Sequence, residues 1–197
     1  MYNLSDYGSV IQGANLSRVQ AEPGVGSIKF MLYTMKELNE SLGNENRGSH
    51  DKTQEIHVSE SKARELPITD KNMVLINLIS RRAATVRSEY IGRLVPSNFA
   101  IIKVDETLYA PYLEWHLNEY PKSRIYLSEA TQGTTVGALS IQKLRAVPIV
   151  VPSLKEQEIV GDVYSNLINK KRLLMQRIYI EEKSINQQLC SYLQGGA

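Results

Sequence analysis

Cysteine is almost absent from this chain: Cys190 is the only one in 197 residues. That excludes an intrachain disulfide and an all-cysteine metal site. An excess of charge of either sign is missing too. The formal net charge of +2 neither demands nor excludes a nucleic-acid partner, so the distribution of charge matters more than its total. No stretch approaches the roughly 18 uncharged apolar residues of a membrane span. The opening residues, Met1-Tyr2-Asn3-Leu4-Ser5-Asp6, offer neither a basic n-region nor an apolar h-region. A soluble cytoplasmic protein is therefore expected. Hydrophobic residues make up 42% of the chain, enough for a true core and too many for wholesale disorder. The length suits one domain plus an appendage.

The usual signatures of catalysis are also missing. Gly24-Val25-Gly26 lacks the third glycine and the preceding strand of a dinucleotide fingerprint. There is no phosphate-binding loop of the GxxxxGK type and no GxSxG elbow. His50, His57 and His116 are scattered, without metalloprotease or zinc-deaminase spacing. His116 sits in an apolar helical stretch and reads as a satisfied core or boundary residue. Asn118-Glu119-Tyr120-Pro121 lacks the two prolines of the amino-methyltransferase motif. Asp51, Glu55 and His57 could cluster as in a hydrolase, although acids near a histidine are common in loops. Neither a catalytic residue nor a metal site is expected, and no cofactor.

What is present is a run of short strands followed by helices. Residues 4–12 read as a helical turn leading into a strand that ends at Gly13, and Asn15 to Gly26 as loop. Ser27 to Tyr33 alternates as a strand, and Thr34 can cap a helix over Met35 to Ser41. Residues 42–54 are polar and loop-like. Glu55 to Val58 is a short strand. Met73 to Ile79 is apolar on both sides and so reads as a central strand. Ala83 to Val86, Tyr90 to Val95 and Asn98 to Val104 follow as strands. Pro111 sits at a first helical position, Pro121 stops that helix, and Ser123 to Ala130 forms another. Ser140 caps a turn through Leu144, and Val147 to Val151 is a last strand. The class is α+β, with a sheet-rich domain over residues 1–152 and a helix over 153–197.

That helix organises the rest. Pro152 precedes Ser153-Leu154-Lys155-Glu156, a capping box. No proline follows it, and Gly161 is the only glycine before Gly195. From Ser153 to Tyr192 the rod would be roughly 60 Å long. One face carries Val160, Tyr164, Leu167, Leu174, Ile178, Ile185, Leu189 and Tyr192 at near-heptad spacing, interrupted by Lys171 and Glu181. Such a stripe needs a second long helix, and none of that length lies upstream. Its partner is expected to be another chain; the other reading folds the helix back on its own domain.

The order of motifs resembles one family. Val95-Pro96-Ser97-Asn98-Phe99-Ala100-Ile101-Ile102 resembles a strand of the specificity subunits of type I restriction–modification enzymes. Ala110-Pro111-Tyr112-Leu113 through His116-Leu117 resembles the helix that follows it. Gln132-Gly133-Thr134-Thr135-Val136 through Leu139-Ser140 resembles that family's loop before a short helix. Val147-Pro148-Ile149-Val150-Val151-Pro152-Ser153-Leu154-Lys155-Glu156-Gln157 resembles its strand, proline-leucine-glutamate-glutamine turn and long helix. Together these cover residues 94–175. The resemblance implies a target recognition domain and a spacer helix, reading one half of a split site in double-stranded DNA. It also implies docking to modification subunits, which bind S-adenosylmethionine and methylate adenine, and possibly to restriction subunits. This chain holds one recognition domain and one helix where a usual member holds two of each. Two copies pairing their helices antiparallel would rebuild the full arrangement and call for a palindromic split site.

Residues 62–93 carry seven basic side chains against three acidic ones, a local excess of four positive charges. Arginine reads guanine in the major groove and lysine contacts phosphates. Arg81, Arg82 and Arg87 are thus the first candidates for DNA contact, with Lys62, Arg64 and Lys71 as phosphate contacts. Arg47, with Asn44 and Asn46, lies in a polar loop able to enter a groove, and Gln132, Thr134 and Thr135 could offer amide and hydroxyl groups. Each arginine taken alone reads more readily as a solvated surface charge, and it is the cluster that points to DNA. The competing function is an interaction fragment whose helix docks on another specificity subunit without binding DNA.

Overall fold

Met73 to Asn77 has no polar face, and it becomes the buried strand around which the domain is layered. The structure is a computed structural model describing residues 2–44, 54–131 and 137–195. In chain order it contains β1 (Tyr2–Asn3), β2 (Gly8–Gln12), α1 (Leu16–Val19), β3 (Ser27–Met31), α2 (Met35–Ser41), β4 (Glu55–Ser59), α3 (Glu60–Ala63), β5 (Met73–Asn77) and β6 (Ala83–Thr85). These are followed by β7 (Phe99–Val104), α4 (Ala110–Asn118), α5 (Pro121–Glu129), α6 (Ile141–Arg145), β8 (Pro148–Ile149) and α7 (Leu154–Gly195).

The main sheet is antiparallel with strand order β2-β7-β5-β6. Alternation in its two central strands supplies two cores at once. Val74, Ile76, Ala100 and Ile102 face Leu113, Leu117, Leu127, Leu144 and Val147 from the helical layer. Met73, Leu75, Phe99 and Ile101 face Tyr33, Leu38 and Leu42 on the other side. There the rings of Tyr33 and Phe99 meet edge-on at 5.5 Å. The antiparallel β3–β4 pair covers a smaller cluster of Leu32, Ile56, Val58 and Leu94.

Local signals decided most boundaries. Thr34 Oγ1 accepts from Lys36 N at 3.2 Å, and the Glu37 carboxylate returns to Thr34 N at 2.7 Å, starting α2. Ser140 Oγ accepts from Lys143 N at 3.2 Å and starts α6. Four expectations require correction. Tyr90 to Val95 is not a strand: a helical turn takes up Ser88 to Tyr90, Gly92 has φ +85°, and Leu94 makes only isolated bridges, to Leu32 and Ile68. Pro121 opens α5 as well as following α4, because its missing N–H costs nothing in a first helical turn. The last strand shortens to Pro148–Ile149, since Val150 N donates to His116 Nε2 at 3.3 Å. The loop reading of Asn15 to Gly26 also gains the short α1.

The 42-residue α7 begins where expected, though its cap differs in detail. The Ser153 hydroxyl donates to the Glu156 carboxylate at 2.6 Å, and that carboxylate also takes Ser153 N at 3.0 Å. The first turns are part of the domain. Gln157 is 1% exposed; its Oε1 accepts from Tyr109 N at 2.9 Å, and its Nε2 donates to Thr107 O at 3.0 Å and Pro152 O at 2.9 Å. Further along, Gly43 packs against the helix backbone at Ile168 with φ +69°. From Gln176 to Leu193 every residue is exposed, about 27 Å of unsupported helix. No helix among the described residues is long and apolar enough to cross a membrane.

Gly161 sets the approach of α7 to α4, because a Cβ there would lie 2.8 Å from Tyr112 N and 2.9 Å from the Tyr109 ring. Gly161→Val should therefore destabilise the domain by about 1–3 kcal/mol despite valine's better helix propensity, as measured by urea unfolding.

Candidate nucleic-acid interface

Strand β2 forms one edge of the main sheet, and beside it runs the irregular segment from Arg64 to Asp70. Between them lies a groove of about 510 Å³, lined among others by Ile11, Gln12, Arg64, Asp70, Ile101 and Lys103. Its floor is apolar and its rim is polar. Arg64 and Lys103 are exposed and have no protein partner among the described residues. Gln12 donates through Nε2 to Ser97 O at 2.8 Å, which orients the amide and leaves Oε1 outward-facing capacity. Lys71 extends the rim, its backbone N donating to Asp70 Oδ1 at 2.7 Å. Lys62 stands at the far end of α3, its Nζ donating to Arg18 O at 2.8 Å. Arg18, Lys62, Arg64, Lys71 and Lys103 are all exposed.

The arginines that ranked first in the sequence hold protein partners instead. Asn77 Oδ1 accepts from Ile79 N at 3.1 Å and Ser80 N at 2.8 Å, tightening the turn between β5 and β6. That turn holds Arg81 at φ +58° and directs its guanidinium to Thr131 Oγ1 at 2.6 Å. Arg82 pairs with Glu119 at 3.7 Å. Arg87 pairs with Glu89 at 2.6 Å and lies 5.9 Å from the centre of the Tyr90 ring. Arg93 is the most deeply committed, paired at 2.6 Å with Glu37, which is 2% exposed. The local excess of positive charge in residues 62–93 is thus split: Lys62, Arg64 and Lys71 face solvent, while Arg81, Arg82, Arg87 and Arg93 hold protein partners. Arg47, Gln132, Thr134 and Thr135 lie outside the described residues.

Gln12, Arg18 and Lys103 escaped the sequence reading. The available signal was Lys103, the only charged residue in the strand Phe99–Val104.

The helical stripe also divides. Val160 and Tyr164 do not belong to a free seam: Val160 packs on the domain core, and Tyr164 is 6% exposed, with its hydroxyl donating to Glu119 Oε1 at 3.3 Å. Their position within the first three turns puts them over α4, which explains the correction. Leu167, Leu174, Ile178, Ile185, Leu189 and Tyr192 are exposed. Leu173 and Ile180 add a second exposed apolar row seven residues apart.

Among the described residues the histidines show no catalytic grouping, and His50 lies outside them. Glu55 pairs with Lys29 at 3.0 Å, His57 Nδ1 lies 3.3 Å from Ser27 Oγ, and Asp51 falls outside the described residues. His116 is fully buried; because Nε2 accepts from Val150 N, Nδ1 carries the proton and donates to Ser123 Oγ at 2.9 Å. Among the described residues no group of three His, Cys, Asp or Glu could hold a metal ion.

No family model matches the sequence, and no curated protein matches it. Solved structures do. A chain from the work on complex assembly and conformational transition of the type I R-M system superposes with a TM-score of 0.57 at 16% identity, over 95% of this chain and 42% of that one. The HsdS subunit from Thermoanaerobacter tengcongensis gives 0.52 at 14% identity, over 90% and 39%. The type I restriction–modification system S subunit from M. genitalium gives 0.55 at 16% identity, over 95% and 43%. This chain therefore has the fold of type I specificity subunits. It spans about two-fifths of the length of the chains it matches.

Burial lowers the His116 pKa from its ordinary 6.5 to about 4. The unfolded chain takes up a proton below about pH 6.5 and the folded one does not, so stability is complete above that pH and is lost as pH falls toward 4. The loss should total roughly 3 kcal/mol. His116→Gln should flatten that part of the stability–pH curve relative to the parent in denaturant titrations.

Proposed function

We propose that this chain is a non-catalytic, sequence-specific DNA-recognition subunit of a type I restriction–modification system. It reads one half of a bipartite site and acts as a scaffold for modification subunits. The observation that carries this reading is the specificity-subunit fold over 90–95% of the chain, ending in a helix that overhangs the domain with its apolar residues exposed. In this reading the S-adenosylmethionine chemistry belongs to the modification subunits, restriction subunits join through them, and the complex works on DNA in the cytoplasm.

The β2-edge groove is the proposed DNA-facing surface. Arg64, Lys103, Lys62 and Lys71 supply phosphate contacts, and Gln12 supplies an amide suited to the adenine edge. Two copies pair through Leu174, Ile178, Ile185, Leu189 and Tyr192, placing identical recognition domains at both ends and selecting a palindromic split site. A second reading, a fragment that docks on another specificity subunit without reading DNA, draws support from the same exposed helix, which suits any complementary helical partner.

Light scattering on the eluting protein should give a mass near twice 22.2 kDa. Leu174→Asp with Ile185→Asp should return it to the single-chain mass without lowering the melting temperature of the domain. A monodisperse parent monomer would overturn the dimer. With modification subunits present, Arg64→Ala and Lys103→Ala should each weaken all DNA sequences alike and reduce the salt slope by roughly 0.9. Gln12→Ala should cost about 1–3 kcal/mol at one base position. Absence of duplex binding by the parent complex would favour the docking fragment.

A further inference from the structure

The edge of the sheet opposite the groove carries a second concentration of positive charge that the recognition surface does not use. The turn after β5 and the C-terminal half of α4 meet α5 around a cavity of about 140 Å³. It is lined by Ser80, Arg81, Arg82, Asn118, Arg124 and Ser128, with Leu117 and Leu127 behind them. Three arginines thus line one small space, and no Asp or Glu is among its described lining residues.

The three arginines are not equivalent. Arg81 is held in place by the left-handed φ of +58° and by its bond to Thr131 Oγ1, whose own hydroxyl donates to Ser128 O at 2.9 Å. A non-glycine residue in that backbone region is uncommon, and the surrounding bonds maintain it. Arg82 leans toward Glu119, but at 3.7 Å and 38% side-chain exposure the pair is loose and solvent-screened. Arg124 is exposed on α5 and has no protein partner among the described residues. The cations are therefore only partly neutralised from within, while two serines border the same space as hydroxyl donors.

We propose that this cavity binds a phosphate-class oxyanion, held by Arg81, Arg82 and Arg124 with hydroxyl support from Ser80 and Ser128. Guanidinium forks match the oxygens of a tetrahedral anion, and several converging on one centre give more than a single surface contact. The volume is ample for one such group. The same chemistry could come from a phosphodiester of bound DNA or from free phosphate.

Two measurements on the full chain test the site. The first is the melting temperature in phosphate against chloride at equal ionic strength, for the parent and for Arg124→Ala. Because the Arg124 side chain holds no partner among the described residues, this variant should melt with the parent in chloride. The parent should gain several degrees in phosphate, and the variant should lose that gain. The second is the salt dependence of duplex DNA binding in the complex with modification subunits. A slope lower by roughly 0.9 in Arg124→Ala identifies the oxyanion as a DNA phosphate, and an unchanged slope alongside the phosphate-specific stabilisation identifies free phosphate. Equal melting of parent and variant in both salts, with equal slopes, would overturn the proposal. The first measurement does not depend on the chain's being a DNA reader, so failure of one reading is distinguishable from failure of the other.

Discussion

The buried amide of Gln157 decides what the long helix can do. Its three hydrogen bonds tie α7 to the backbone ahead of α4 and to the turn that precedes α7 itself. A buried primary amide is costly unless its donors and acceptor are met, and here they are met by groups from separate stretches of chain. The helix therefore leaves the domain in one direction. Gly161 then allows the two helices to close to backbone contact, and Tyr164 and Gly43 extend the clamp toward Ile168. Without this clamp the exposed half of α7 would be a flexible tether. With it, the base of the helix has a defined direction relative to the sheet.

Rigidity of this kind matters for reading separated half-sites. If the proposed recognition surface on the β2 edge and the proposed seam beyond Arg172 are held as one body, pairing the seams would constrain the distance and rotation between two surfaces. The exposed apolar side chains from Leu174 to Tyr192 are the other half of the same argument. A single exposed leucine needs no explanation, but a continuous row along an isolated helix does. Left in water, the overhanging turns have only helix propensity to hold them, and tertiary packing is what normally stabilises a helix of this length.

The sequence made the strands and caps legible because those signals are local. Thr34 with Glu37, Ser140, and the two-sided apolar run of β5 all act over a few residues. It was less informative where the decision is made at a distance. Tyr90 to Val95 has strand composition, yet its backbone is satisfied piecewise by Met31 O, Pro67 O and Thr69 O. The stripe on α7 runs at near-heptad spacing from Val160 to Tyr192, broken at Lys171 and Glu181, but spacing along a helix cannot say where the domain beneath it ends. Only the positions of Tyr109, Tyr112 and Asn118 show that Val160 and Tyr164 face inward.

Charge was the least legible property, for a related reason. The sequence shows a basic segment but not which of its cations already have partners. Arg93 and Arg87 meet Glu37, Glu40 and Glu89, whose places depend on α2 and the turn after β6. A paired, half-buried guanidinium has spent much of its capacity to meet a phosphate, because forming the new contact requires breaking an existing one in a lower-dielectric setting. An exposed lysine or arginine incurs no such loss. The useful distinction among the basic residues is thus between committed and uncommitted charge. It favours Arg64 and Lys103 on one edge of the sheet and Arg124 on the other, two of which lie outside the basic segment that the sequence singled out.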